Sequence, residues 1–134
     1  MNLFRIREAA ELLGVSADTV RRWADSGRLA TTADGSGRQA IDGVVLARFA
    51  EELAASNPVR VPRISRQSAR NHFTGLVTKV TRDTVMAQVE IQAGPFRVVS
   101  LMSREAADDL GLVPGVLAVA SVKSTNVVVE IPDG

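Results

Sequence analysis

The hydrophobic period of this chain changes once, at Asn57-Pro58, and that change decides what the chain can fold into. A helix buries residues three and four apart, whereas a half-buried strand buries every second residue. One segment cannot satisfy both patterns. The residue before a proline also disfavours helix. Two small domains of different class are therefore expected, separated at this point.

Upstream, "IREAAELLGV" spaces Ile6, Ala9, Ala10, Leu13 and Val15 for a helix. Gly14 suits its end, because glycine tolerates positive φ. Ser16 is a good N-cap for "ADTVRRWADSG", which Gly27 closes. Two short helices joined through Gly-Val-Ser have the spacing of a helix-turn-helix. "ATTADGSGRQAID" is turn-rich and fits a small hairpin, or wing. Asp42 is placed to cap a third helix through Val45, Leu46, Phe49 and Leu53. "NPVRVPRISRQ" then holds two prolines, three arginines and no acid, and reads as an extended linker.

Downstream, Val85, Ala87, Val89 and Ile91 alternate with Met86, Gln88 and Glu90, a strand pattern. Ala93-Gly94-Pro95 breaks it, and Phe96 to Met102 is a second strand. "SREAADDLGL" reads as a short helix capped by Ser103 and stopped by Gly111. Pro114-Gly115 turns the chain into a strand in "VLAVASV", and a further strand, "VVVEI", is expected after Lys123 to Asn126. Strands, one helix and more strands in about 65 residues suggest a small barrel of the OB type. The expected fold class is α+β in two domains: a small all-α winged helix-turn-helix, then an all-β OB-like barrel with one short helix. The expected bounds are 1–56, a basic linker at 57–66, and 67–134.

Charge and composition narrow the function. The net charge of the 134-residue chain is +1, weak for a nucleic-acid binder. Residues 1–67, however, carry ten arginines against eight carboxylates, or +2, and residues 68–134 six cations against seven carboxylates, or −1. Every cation in the first half is arginine, the side chain suited to forked contacts with phosphate and guanine. The chain has no cysteine, which excludes disulfides, thiolate metal sites and thiol catalysis. No apolar run approaches the roughly 20 residues that cross a membrane, and a cytoplasmic protein is expected. No nucleophile–base pair, phosphate-binding glycine loop or facing carboxylate cluster is legible, so no enzyme is expected. His72 stands without cysteines or an acidic cluster, which is not a bare-metal site.

On the second helix Val20, Trp23 and Ala24 share a core face, while Thr19 and Arg22 share another with Arg21 beside it. By themselves these are solvated arginines on a packing domain or a groove-reading helix. The motifs "EAAELLGVS", "DTVRRW", "SGRL" and the Gly-Arg before the last helix resemble the MerR and excisionase-like winged helix-turn-helix family over about residues 3–53. The resemblance implies DNA-binding roles for Thr19, Arg21, Arg22 and Arg38, with Trp23 structural. Gln39 departs from the pattern, standing where a second basic wing residue is usual.

"SARNHFTG" sets Arg70 among small polar residues, either a solvated strand start or part of an anion site. Ser103 opens a helix, where backbone N–H groups favour an anion. "KSTN" puts Lys123 and hydroxyls in a loop between apolar segments. Cations and hydroxyls together match a tetrahedral dianion. The motifs "SARNHFTGLV", "VVSLMSREAADDLGLVPG" and "VLAVASVKSTNVVV" resemble the Mop (TOBE-type) domain of molbindins and molybdate-responsive regulators over about residues 66–132. The resemblance implies molybdate or tungstate as ligand, bound between subunits. It implies Ser68, Arg70, Ser103, Lys123 and Ser124 as oxyanion-binding residues, with Asn71 structural. It also implies a homo-oligomer, a hexamer more than a dimer. Together the halves read as a molybdate-responsive DNA-binding regulator; a molybdate store with an interaction module is the alternative.

Overall fold

The computed structural model describes residues 2–56 and 68–133. The linker expected at 57–66 lies outside the described residues. These form two compact units, each built as its period of apolar residues dictates.

The first unit runs β1 (Leu3–Arg5), α1 (Ile6–Leu13), α2 (Ala17–Asp25), β2 (Thr32–Ala33), β3 (Gln39–Asp42) and α3 (Gly43–Ser56). Its strands form a small antiparallel sheet in the order β1-β3-β2, so the helices carry a short sheet of which the wing is part. Strand β1 has no sequence signal of its own, since it takes its partner from β3, pairing Phe4 with Ile41. Gly14 ends α1 at φ 71°, and Ser16 caps α2 by accepting from the Thr19 N–H at 3.1 Å. The Asp42 carboxylate accepts from the Val44 N–H at 3.3 Å at the start of α3. The core holds Ala9, Ala10, Val20, Leu29, Ile41, Leu46 and Phe49, with Ile6, Leu13, Val15, Trp23 and Leu53 packed on it. Full burial of a residue such as Leu29 or Ile41 contributes about 1.5–3 kcal/mol, which is what holds so small a unit together.

The second unit runs β4 (Asn71–Arg82), β5 (Met86–Ala93), β6 (Phe96–Ser103), α4 (Arg104–Asp109), β7 (Leu117–Val122) and a 3-10 turn at Ser124–Asn126. The antiparallel sheet has the order β6-β5-β4-β7. It is curled and resembles an OB-like fold. Ala87, Val89, Ile91 and Ala93 of β5 are buried, alternating with more exposed neighbours. Val77, Ala107 and Leu112 complete the core. Two features of β4 accompany the curl. The register shifts between Val77 and Lys79, the local irregularity that bends a strand. At Gly75 an added Cβ would lie 2.2 Å from the Gln92 carbonyl oxygen and 2.9 Å from the Ala93 Cα, so only glycine lets β4 approach β5 this closely.

The strand expected at Val127–Ile131 is absent. Residues 127–133 have no ladder among the described residues, although β7 ends only five residues earlier. Val127, Val128, Val129 and Ile131 are 46–88% exposed. β-branched residues favour strand, but a strand exists only where a partner edge meets it. Among the described residues, no helix is long and apolar enough to cross a membrane.

The Gly75 contact generates a prediction. Gly75→Ala forces a backbone shift in β4 or β5, costing about 1–3 kcal/mol as overpacking does. Thermal unfolding of the two proteins at equal concentration checks it; an unchanged midpoint would contradict the close approach.

Candidate functional site

Each unit gathers one set of the residues singled out in the sequence. In the first, α2 carries Thr19, Arg21 and Arg22. Ser16 fixes the helix start, and its hydroxyl also lies 2.9 Å from the Thr19 hydroxyl. Arg22 donates to that same Thr19 oxygen at 3.3 Å. Thr19 and Arg22 are thus linked on one face, next to a helix N-terminus. Arg21 points elsewhere: its guanidinium pairs with Asp18 at 2.8 Å. Both partners are exposed, so the pair adds only about 0–1 kcal/mol and can yield to a phosphate.

Arg38 follows the wing turn. The Asp34 N–H donates to the Arg38 carbonyl at 2.8 Å, and Gly37 donates back to Asp34 at 3.0 Å with positive φ. The Asp34 carboxylate accepts from the Ser36 N–H at 2.9 Å, the Ser36 hydroxyl at 2.8 Å and the Arg38 N–H at 2.9 Å. The Ser36 hydroxyl first, then the Arg38 and Ser36 amides, hold this carboxyl below its ordinary value. The loop is therefore set by a charged acceptor that draws three donors inward, and the exposed Arg38 closes the turn opposite Asp34. Gln39 turns its amide to the Thr31 hydroxyl at 3.2 Å, a bond within the wing.

Sequence reasoning passed over Arg28. Its guanidinium stacks 5.4 Å from the Trp23 ring and 5.5 Å from the Phe49 ring, and those rings meet at 5.0 Å. The only sequence signal was an arginine five residues after the tryptophan, a separation that helical spacing does not explain because Gly27 turns the chain.

In the second unit, β4 and β7 pair from Asn71↔Val122 to Leu76↔Leu117. Asn71 donates its side-chain amide to the Val122 carbonyl at 3.0 Å, which secures the end of the ladder and accords with a structural role. Arg70 precedes Asn71 and Lys123 follows Val122, so the register brings these two cations to the same end. Both are exposed. Ser68 lies two residues before Arg70, and Ser124 opens the turn after Lys123. Four of the five expected oxyanion residues thus cluster at one ladder end. Segments 68–76 and 117–124 contain no carboxylate, and two cations match the charge of a dianion.

Ser103 is elsewhere. It pairs with Met86 across β5 and β6, beside the far end of β4. The 12 residues of β4 lie between, on the order of 35 Å of strand before curl. Ser103 accepts from the Ala106 N–H at 3.1 Å as the cap of α4. One chain therefore does not bring Ser103 to Arg70 and Lys123. No group of three or more potential metal ligands occurs among the described residues.

Similarity to known proteins divides along the same line. Residues 3–54 match a helix-turn-helix domain family, and residues 67–129 match the TOBE domain family. Molybdenum-pterin-binding protein 3 of Clostridium pasteurianum is 38% identical over 63 residues, covering 46% of this chain and 93% of that protein. A molybdate-binding protein from Sporomusa ovata is 30% identical, with a TM-score of 0.48 over 49% of this chain and 98% of its own. The cytoplasmic molybdate-binding protein ModG, solved with molybdate bound, is 37% identical, with a TM-score of 0.48 over 50% of this chain and 48% of its own.

The wing geometry sets a pH dependence. A carboxyl with a depressed folded pKa contributes stability that is present above its ordinary value, 3.8 here, and is lost as pH falls through the depressed value. The Ser36 and Arg38 amide proton resonances are expected to hold steady at neutral pH and to move with a midpoint below 3.8. Asp34→Ala should abolish the transition. A midpoint at or above the ordinary value would contradict the three-donor turn.

Proposed function

The chain belongs to the molybdenum-pterin-binding protein family, carrying a TOBE domain behind a helix-turn-helix domain, and from that premise we propose that it is a molybdate-responsive DNA-binding regulator. The observation that carries the reading is the β4–β7 register, which sets Arg70 and Lys123 at one ladder end without a carboxylate in either segment. The proposed ligand is molybdate or tungstate. Ser68, Arg70, Lys123 and Ser124 supply cations and hydroxyls, and Ser103 enters from a second chain. Proteins similar to this one bind molybdate by name, one of them cytoplasmic, and the same compartment is proposed here.

The need for a second chain has independent support. β6 and β7 are the outer strands of the open sheet. A trough of about 450 Å³ lies against them, lined by Val89, Ile91, Val98, Met102, Leu112 and Val116 among others. The exposed tail Val127–Ile131 has the composition to cover such a trough and the backbone to extend an edge strand. Tail exchange between copies would hide both at once. The proposed assembly is a homo-oligomer of such pairs, a hexamer being three of them.

Regulation then follows from linkage. An oxyanion shared by two chains favours one arrangement of chains, and the arrangement sets the spacing of the helix-turn-helix units. Thr19 and Arg22 are proposed to meet base edges, Arg21 to leave Asp18 for a phosphate, and Arg38 to contact the backbone from the wing. The Arg21–Asp18 pair and Gln39 favour a second reading, in which the first domain serves interaction and the protein stores molybdate.

Two measurements separate these readings. By calorimetry, Arg70→Ala and Lys123→Ala should each weaken molybdate binding about ten-fold or more, as loss of a charge-assisted partner does; unchanged affinity in both would remove the site. By fluorescence anisotropy on duplex DNA, the double change Arg21→Ala, Arg22→Ala should lower affinity at least ten-fold and flatten its salt dependence while leaving molybdate binding intact. If the unaltered protein binds no duplex with or without molybdate, the storage reading replaces the regulator.

A further inference from the structure

One pair of residues beside the cationic ladder end has no role in this site so far. His72 and Ser121 are directly opposed across β4 and β7, the next pair inward from Asn71↔Val122. The His72 Nδ1 lies 3.1 Å from the Ser121 hydroxyl oxygen. Residues two apart on a strand share a face and lie about 7 Å apart. Continued one residue past the ladder, that alternation puts Arg70 on the side of His72 and Lys123 on the side of Ser121. We propose that the imidazole of His72, paired with Ser121, is a further oxyanion-binding group of this chain, adding a neutral donor to the charges of Arg70 and Lys123. The inference rests on the oxyanion reading of this ladder end.

Proton bookkeeping supports the role. A neutral imidazole has one N–H and a serine one O–H. Their mutual bond uses one of these hydrogens, whichever group donates. The other can be offered to an oxyanion in exchange for the partner it holds: the second ring nitrogen's if the serine donates, the hydroxyl's if the imidazole does. A fully ionised tetrahedral oxyanion only accepts hydrogen bonds. The pair therefore meets it with a donor in either tautomer, and a change of tautomer lets the pair switch which group gives the hydrogen. A partner held in the absence of ligand does not oppose this, since exchange of one acceptor for a charged one strengthens the bond. The site would then be read by geometry as well as charge. Two cations attract any dianion, and a fixed neutral donor beside them responds to oxygen position.

The sequence makes the test specific, because the chain contains one histidine. The full chain, without a histidine tag and labelled with nitrogen-15, is titrated with sodium molybdate. The two imidazole nitrogen resonances are followed alongside calorimetry. The expected result is a saturable shift of the imidazole signals that tracks the binding heat, and about a ten-fold loss of molybdate affinity in His72→Ala. Ser121→Ala, which leaves the ring in place, should lose less affinity and move the nitrogen pattern of the free protein. Saturating heat with stationary imidazole signals would overturn the proposal while leaving the Arg70 and Lys123 site standing. Unchanged affinity in His72→Ala would overturn it likewise. Absence of any binding heat in the unaltered chain would remove the oxyanion reading itself, and this inference with it.

Discussion

Six residue pairs between β4 and β7, from Asn71↔Val122 to Leu76↔Leu117, join the middle of the chain to a segment near its end, and the second unit depends on them. Without that ladder, Arg70 and Lys123 are exposed cations more than fifty residues apart in sequence. With it they share one end of a sheet. Closing so long a loop costs chain entropy, and the ladder hydrogen bonds, the Asn71 amide and the buried side of β4 offset that cost. Gly75 belongs to the same constraint. Its missing Cβ lets β4 pack against β5 at Gln92 and Ala93 while pairing with β7 on the other edge.

The same arrangement leaves the single chain incomplete in three ways. Ser103 sits at the far end of the sheet from the cations. The trough beside β6 and β7 is apolar and open. The tail after Asn126 is apolar and exposed. The last two are costs for an isolated chain: an unpaired strand edge invites association, and contiguous exposed apolar surface marks an interaction site. A second copy would answer all three together, which makes ligand binding and assembly one event in the proposed mechanism.

The helix-turn-helix half depends on a different balance. Its arginines are partly satisfied within the domain. Arg21 has Asp18, Arg22 has Thr19 and Arg28 has the faces of Trp23 and Phe49. Such partners orient a guanidinium while leaving it able to exchange for a phosphate, since exposed pairs add little. The wing is set more firmly, because Asp34 draws its three hydrogen bonds from within five residues. Weak net charge and prepared arginines are compatible with the proposed reading of DNA by several copies together.

Local chemistry made much of this legible in the sequence. Gly14 and Ser16 marked the turn between α1 and α2, the alternation at Val85–Ile91 marked β5, and Ser103 marked the start of α4, because caps, turns and burial periods act over a few residues. Strand β1 and the unpaired tail were not legible, since both depend on whether a partner edge is present. β1 finds β3; Val127–Ile131, richer in strand-forming residues, finds no edge among the described residues. The same reason divides the candidate site. Sequence alone singled out the candidates for the chemistry, through motifs holding Arg70, Ser103 and Lys123. Only the tertiary structure decided their grouping, bringing Arg70 and Lys123 together with His72 and Ser121 beside them and leaving Ser103 apart. Register is a property of two segments meeting, and neither segment encodes it by itself.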